Sequence, residues 1–119
     1  MLNFNSIMIG SSQPKVLVEF YEKILGKPTM QEDDWAGWQV GSAFINVSGH
    51  SGVKGKASNP ERMILNFETK DIKEEYERIK GQGATVIKEL YEMDGMKGMW
   101  IATFADPDGN YFQLMTPWE

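Results

Sequence analysis

Asp106-Pro107-Asp108-Gly109-Asn110, followed by Tyr111-Phe112-Gln113-Leu114-Met115, is the stretch that decides the fold. Pro107 fixes φ at the first corner, and Gly109 can take the positive φ that a bulged turn needs. The residues after the turn alternate with the period of a strand, and Trp100–Phe104 ahead of it reads as that strand's partner. The segment therefore predicts a hairpin. Its second arm opens aromatic, apolar, amide, apolar at Tyr111-Phe112-Gln113-Leu114, and the same order stands in the first half at Phe44-Ile45-Asn46-Val47.

Working outward, each of these strands closes a similar run of elements. In the first half a strand is predicted over residues 5–10, with Ile7 and Ile9 on one face and Ser6 and Met8 on the other. Ser12 is the expected N-cap of a helix with Pro14 in its first turn. Leu17, Phe20, Tyr21, Ile24 and Leu25 form its apolar stripe, and Gly26 and Pro28 end it. Short strands follow over 29–31, 35–40 and 43–47. In the second half a strand over 63–68 leads to a helix with Asp71 as cap and Glu74 completing a capping box. Ile72, Tyr76 and Ile79 make its stripe, Gly81 or Gly83 ends it, and strands follow over 85–90, 100–104 and 111–115. Tyr21-Glu22-Lys23-Ile24 and Tyr76-Glu77-Arg78-Ile79 match inside the two helices. The element order is strand–helix–three strands, given twice. We expect one domain, with a first module over about 1–49, a Gly-, Ser- and Lys-rich linker over about 50–61 and a second module over about 62–119.

A sheet covered by helices on one side should alternate apolar and mixed residues. Ile7, Ile9, Ile45, Val47, Leu65, Phe67, Phe112 and Leu114 are then the helix-facing set. The opposite set contains Ser6, Met8, Phe44, Asn46, Ile64, Asn66, Tyr111, Gln113 and Met115, with Trp100 as a further candidate. It reads as free of charged residues, yet it holds amides, a hydroxyl, Met and rings, which is how ligand cavities are lined. The bland alternative is that these faces serve only packing or self-association.

Bulk properties narrow the field. The 119 residues are 41% hydrophobic and 24% charged, an ordinary globular balance. A net charge of −5 with scattered lysines argues against nucleic acid and against an anionic membrane surface. The N-terminus carries no secretory pattern, so cytoplasmic residence is the default expectation. The chain has no cysteine and a single histidine, His50, which excludes disulfides and thiolate metal sites.

The doubled element order, the helix end Phe20-Tyr21-Glu22-Lys23-Ile24-Leu25-Gly26, the segment Phe67-Glu68-Thr69-Lys70-Asp71-Ile72 and the turn Asp106-Pro107-Asp108-Gly109-Asn110 together resemble the vicinal oxygen chelate superfamily. That group includes glyoxalase I, bleomycin- and fosfomycin-resistance proteins and extradiol dioxygenases. The resemblance implies an α+β fold of two βαβββ modules, with curved mixed sheets around a cavity and helices on the outer face. It also implies a homodimer, in which halves pair within one chain or across two.

Metal-dependent members of the superfamily take one ligand, typically His or Glu, from each of four strand positions. By resemblance these fall on Ser6, Asn46, Ile64 and Gln113. None is an imidazole or a carboxylate, and divalent cations of this class need such donors. The expectation is therefore no metal, no cofactor and no catalytic residue. The chain is expected to bind a small, partly aromatic organic molecule through Ser6, Met8, Phe44, Asn46, Ile64, Asn66, Trp100, Tyr111, Gln113 and Met115. The alternatives are a lyase, isomerase or dioxygenase with an atypical site, and a structural dimer without ligand.

Other residues carry weaker signals. His50 sits in a glycine-rich loop, where a local hydrogen bond is the commoner role, although imidazole leaves general-base chemistry open. Trp35 and Trp38 should point to opposite faces of one strand, so at most one can line a cavity. Met93, Met96 and Met99 flank Gly95 and Gly98 in a loop that reads either as a lid or as plain surface. Glu32, Asp33 and Asp34 beside Trp35 form either a solvated turn or a rim that attracts a cation.

Overall fold

The computed structural model describes residues 1–118. The chain divides into two compact units, Met1–Gly55 and Lys56 onward. Each unit is one βαβββ module, and neither sheet closes into a barrel.

In the first unit, β1 (Ile7–Ser11) leads into α1 (Pro14–Leu25), followed by β2 (Met30–Glu32), β3 (Trp35–Val40) and β4 (Ala43–Gly49). The sheet order is β1-β4-β3-β2. β1 runs parallel to β4, pairing Ile7 with Ile45, while β4–β3 and β3–β2 are antiparallel. The helical crossover is what allows the parallel pair, since a tight hairpin cannot make one. Leu17, Val18, Phe20, Tyr21 and Ile24 of α1 are buried. Below them lie Ala36, Trp38, Ile45 and Val47 of the sheet, also buried. Each fully buried aliphatic side chain of this kind contributes about 1.5–3 kcal/mol. The Trp38 indole donates to Gly26 O at 2.8 Å, and the Tyr21 and Trp38 rings are 6.4 Å apart. Gly26 ends the helix at φ 90°, donating its N–H to Glu22 O at 2.9 Å.

The second unit repeats the plan with β5 (Leu65–Glu68), α2 (Ile72–Gly81), β6 (Thr85–Glu92), β7 (Trp100–Ala105) and β8 (Tyr111–Met115), in the order β5-β8-β7-β6. β5 is parallel to β8 and pairs Leu65 with Phe112. Ile72, Tyr76 and Ile79 are the buried stripe of α2. They cover an aromatic cluster in which Tyr76–Phe104, Phe104–Phe112 and Phe67–Phe112 have ring centroids 5.6, 5.4 and 6.0 Å apart.

The helix starts meet expectation in part. Ser12 does not cap α1: the N-cap residue is Gln13, whose side chain makes no capping bond. The hydroxyl of Ser11 instead accepts the Gln13 N–H at 2.9 Å. Asp71 is the N-cap residue of α2, but it makes no side-chain capping bond, so the box with Glu74 does not form. Thr69 Oγ1 accepts the Asp71 N–H at 3.1 Å. In both units a hydroxyl two residues before the N-cap satisfies the main chain ahead of the helix, an ST turn in place of a side-chain cap.

The turn at Asp106 is built around one buried carboxylate. Asp106 Oδ1 accepts the N–H groups of Asp108 and Asn110 at 2.9 and 3.0 Å, and Asn110 Nδ2 donates to Oδ2 at 3.0 Å. Gly109 takes φ 80° and donates its N–H to Asp106 O at 2.9 Å. The hairpin predicted from Pro107 and Gly109 is present, with β8 spanning the expected Tyr111–Met115.

Candidate functional site

Register sorts the expected ligand-lining residues onto the sheet faces that the helices do not cover. In the first unit Met8 pairs with Asn46, Asn46 with Gly37, and Phe44 with Gln39, so these share a face with Trp35 and Ser48. Ser6 stands just ahead of β1 and is half-buried. Phe44 and Asn46 are half-buried, whereas Met8 is exposed.

The centre of this face is Gly37, a residue whose part the sequence left unread. A Cβ added there would fall on Cζ of Phe44, at 2.9 Å from its Cε2 and 3.2 Å from Cη2 of Trp35. The two rings therefore lean over a stretch of bare backbone. The signal was available, because an isolated glycine inside a strand marks a bulge or a close approach. The Trp35 indole N–H donates to Asn46 Oδ1 at 3.2 Å, and Asn46 Nδ2 donates to Ile7 O at 3.4 Å. Asn46 thus fixes the indole, and β1 fixes Asn46. Trp38 lies on the other face beneath α1, so the two tryptophans of β3 do point opposite ways. A shallow depression lined by Met30, Gln31, Glu32 and Trp35 adjoins the aromatic pair.

In the second unit Asn66, Gln113 and Thr103 are in register, as are Glu68, Met115 and Ile101, while Tyr111 pairs with Ala105. Gln113 Nε2 donates to Thr103 Oγ1 at 3.1 Å, a partner missed from the sequence. Tyr111, Gln113 and Met115 are half-buried, and Asn66 is exposed. Ile64 lies just before β5 and not within it, because that strand begins at Leu65.

Trp100 stands apart from this group. It neighbours Ile101 in the strand and so faces the other way, and Lys73 Nζ of α2 sits 5.1 Å from its ring centroid. It belongs with the helix-covered face. The expectation that the open faces carry no charge is also corrected. Glu32 pairs with Trp35, Glu68 with Met115 and Lys88 with Thr103, each placing a charged residue on an open face. These residues come from the outer strands and the strand ends, where charge costs little to solvate.

His50 is exposed, and its Nδ1 accepts the Gly52 N–H at 2.9 Å, a local turn bond. The positions matched to metal ligands offer a hydroxyl at Ser6, an amide oxygen already bonded to Trp35 at Asn46, hydrocarbon at Ile64 and an amide at Gln113. Among the described residues no three His, Cys, Asp or Glu side chains form a group that could hold a metal ion. The donor set does not fit an imidazole-and-carboxylate centre. No helix among the described residues is long and apolar enough to cross a membrane.

The family model described as a glyoxalase-like domain matches residues 6–115. The chain belongs to that family. With it comes the vicinal oxygen chelate superfamily that the repeated modules and the Asp106 turn had suggested. Solved structures agree on the fold of this glyoxalase-like chain. The fosfomycin resistance protein FosX from Mesorhizobium loti superposes with a TM-score of 0.76 at 12% identity, over 99% of this chain and 94% of that one. A glyoxalase/bleomycin resistance protein/dioxygenase family enzyme from Burkholderia phytofirmans gives 0.73 at 20% identity, over 93% and 96%. An integron cassette protein from V. cholerae gives 0.72 at 22% identity, over 99% and 97%. At these identities the likeness speaks for architecture alone. No curated protein matches the glyoxalase-like chain.

Proposed function

We infer that this glyoxalase-like chain binds a small, planar, partly aromatic molecule, preferably a cation, without a metal ion. The observation that carries this is the pair Trp35 and Phe44 leaning over Gly37, with the indole held by Asn46 and Glu32 alongside. Exposed ring faces attract planar guests and cations, and a neighbouring carboxylate adds to the attraction. Asn46 already holds Trp35 in place, so little side-chain entropy is lost on binding. Ser6 adds a hydroxyl beside this face, and in the second unit Asn66, Gln113, Tyr111 and Met115 give that unit's own open face a similar mix of amides, ring and thioether. Bleomycin resistance and fosfomycin resistance in the names of structural neighbours are consistent with a chain that takes up small organic molecules. We expect a homodimer by the same resemblance, which sedimentation would read directly.

The test is tryptophan fluorescence titrated with an acridinium dye, a planar aromatic sulfonate and an aliphatic ammonium ion. Saturable quenching by the acridinium alone is expected. It should be lost in Trp35→Phe and kept in Trp118→Phe. Quenching that survives Trp35→Phe, or that none of the probes produces, overturns the reading. A stoichiometric divalent metal found by elemental analysis of protein purified without chelator would favour an enzyme of the superfamily instead.

A further inference from the structure

The loop between β6 and β7 repeats itself as Met93-Asp94-Gly95-Met96 and Met96-Lys97-Gly98-Met99. Each half is a four-residue turn closed by a main-chain bond, Met96 N–H to Met93 O at 3.1 Å and Met99 N–H to Met96 O at 3.0 Å. Gly95 and Gly98 occupy the third place of their turns at φ 73° and 84°, the backbone sign a type II turn requires there. The turns share Met96, and Met93 N–H bonds back to Met99 O at 2.8 Å, which closes the loop on itself. Glu92 Oε2 accepts the Gly98 N–H at 2.7 Å and pins the second turn.

This backbone sets the three methionines at successive corners. Glu92 pairs with Trp100, so the next pair across the ribbon is Met93 and Met99. Opposed residues of an antiparallel pair project to the same side with Cβ atoms about 4.5–5.5 Å apart. Met96 sits at the shared corner and is 46% exposed, while Met93 and Met99 are half-buried. Thr116 Oγ1 donates to Met99 Sδ at 3.5 Å, which orients that thioether and leaves it a free lone pair. A loop kept only to cover apolar surface does not need a sulfur at every third position of a solvent-facing double turn. With no cysteine in the chain, thioethers are its only soft donors. Soft sulfur donors select Cu(I) over hard divalent ions.

We propose that the Met93–Met99 loop is a binding site for a soft monovalent cation, Cu(I), held by the thioethers of Met93, Met96 and Met99. It is independent of the organic ligand read above and needs no residue of the open sheet faces.

The experiment uses Ag(I), a redox-inert soft monovalent ion, with the full chain labelled at the methionine methyl carbons. The methyl signals of Met93, Met96 and Met99 should shift together and saturate at one equivalent. Met63, which is 76% exposed, should not move. Zn(II) should produce no shift, and Cu(I) supplied without oxygen should displace Ag(I). Met96→Leu should weaken binding by roughly tenfold or more, at least the scale of losing an outer partner of a metal site. Met63→Leu should leave it unchanged. Shifts spread over the methionines in proportion to exposure, or an affinity unaltered in Met96→Leu, would overturn the proposal. The shifts in the unaltered protein stand whether or not a variant folds.

Discussion

The indole N–H of Trp35 donates to the amide oxygen of Asn46 across β3 and β4, at 3.2 Å. That bond turns a flexible aromatic into an oriented one, because Asn46 is itself tied to the main chain of β1. Replacing Asn46 with Leu keeps the volume and removes the acceptor. Affinity for a planar aromatic cation should fall about tenfold, the equivalent of one hydrogen bond of about 1.4 kcal/mol. Stability should change by less than about 1 kcal/mol, since both groups keep access to water. Fluorescence titration and urea denaturation read the two effects separately.

Gly37→Ala probes the same face from below. The added methyl meets the far end of the Phe44 side chain, so the ring must swing aside and the fold survives. A cost of about 1–3 kcal/mol is expected for the overpacking. Combining it with Phe44→Ala should cost clearly less than the two single changes added together, because the second removes the clash that the first creates. A urea double-mutant cycle measures this, and strict additivity would show that the ring does not lie over Gly37.

Asp106→Ala removes the acceptor for two main-chain N–H groups and for the Asn110 amide in a buried turn. Each bond to a carboxylate is worth about 1.5–3 kcal/mol, so a loss of at least about 3 kcal/mol is expected. Asp106→Asn keeps one oxygen able to accept the N–H groups of Asp108 and Asn110. It should cost markedly less in the same denaturation experiment.

Trp38→Phe takes away the donor to Gly26 O and leaves space beneath α1. A cost of about 2–4 kcal/mol is expected from the cavity and the orphaned carbonyl together. Thermal unfolding followed by circular dichroism would register it as a lowered midpoint with unchanged native helix content.

Much of the fold was legible because the signals that mark it are local. Pro107 and Gly109 announce a hairpin whatever surrounds them, and the stripe Leu17-Phe20-Tyr21-Ile24 announces a helix with one buried side. Asp71 stands at the start of α2 as expected, but its side chain makes no capping bond, and α1 starts one residue later than Ser12 suggests. In both places a hydroxyl two residues upstream, Ser11 or Thr69, accepts the N–H of the N-cap residue, a bond that residue types alone do not announce. The chemistry of Trp100 suits a ligand site, but alternation with Ile101 sends it beneath Lys73. The charges on the open faces are not legible in the sequence because they arrive from outer strands, and a pairing such as Glu32–Trp35 depends on register. The bond from Gln113 to Thr103 is hidden for the same reason, since it crosses from β8 to β7.

The paired hydroxyl bonds at Ser11 and Thr69 bear on how the chain assembles. Each closes over two residues, so the corner from strand to helix forms on the time of a small loop, well before distant parts meet. The parallel ladders, joining Ile7 to Ile45 and Leu65 to Phe112, must wait for the whole intervening crossover to condense. Both units thus carry the same early corner and the same late closure.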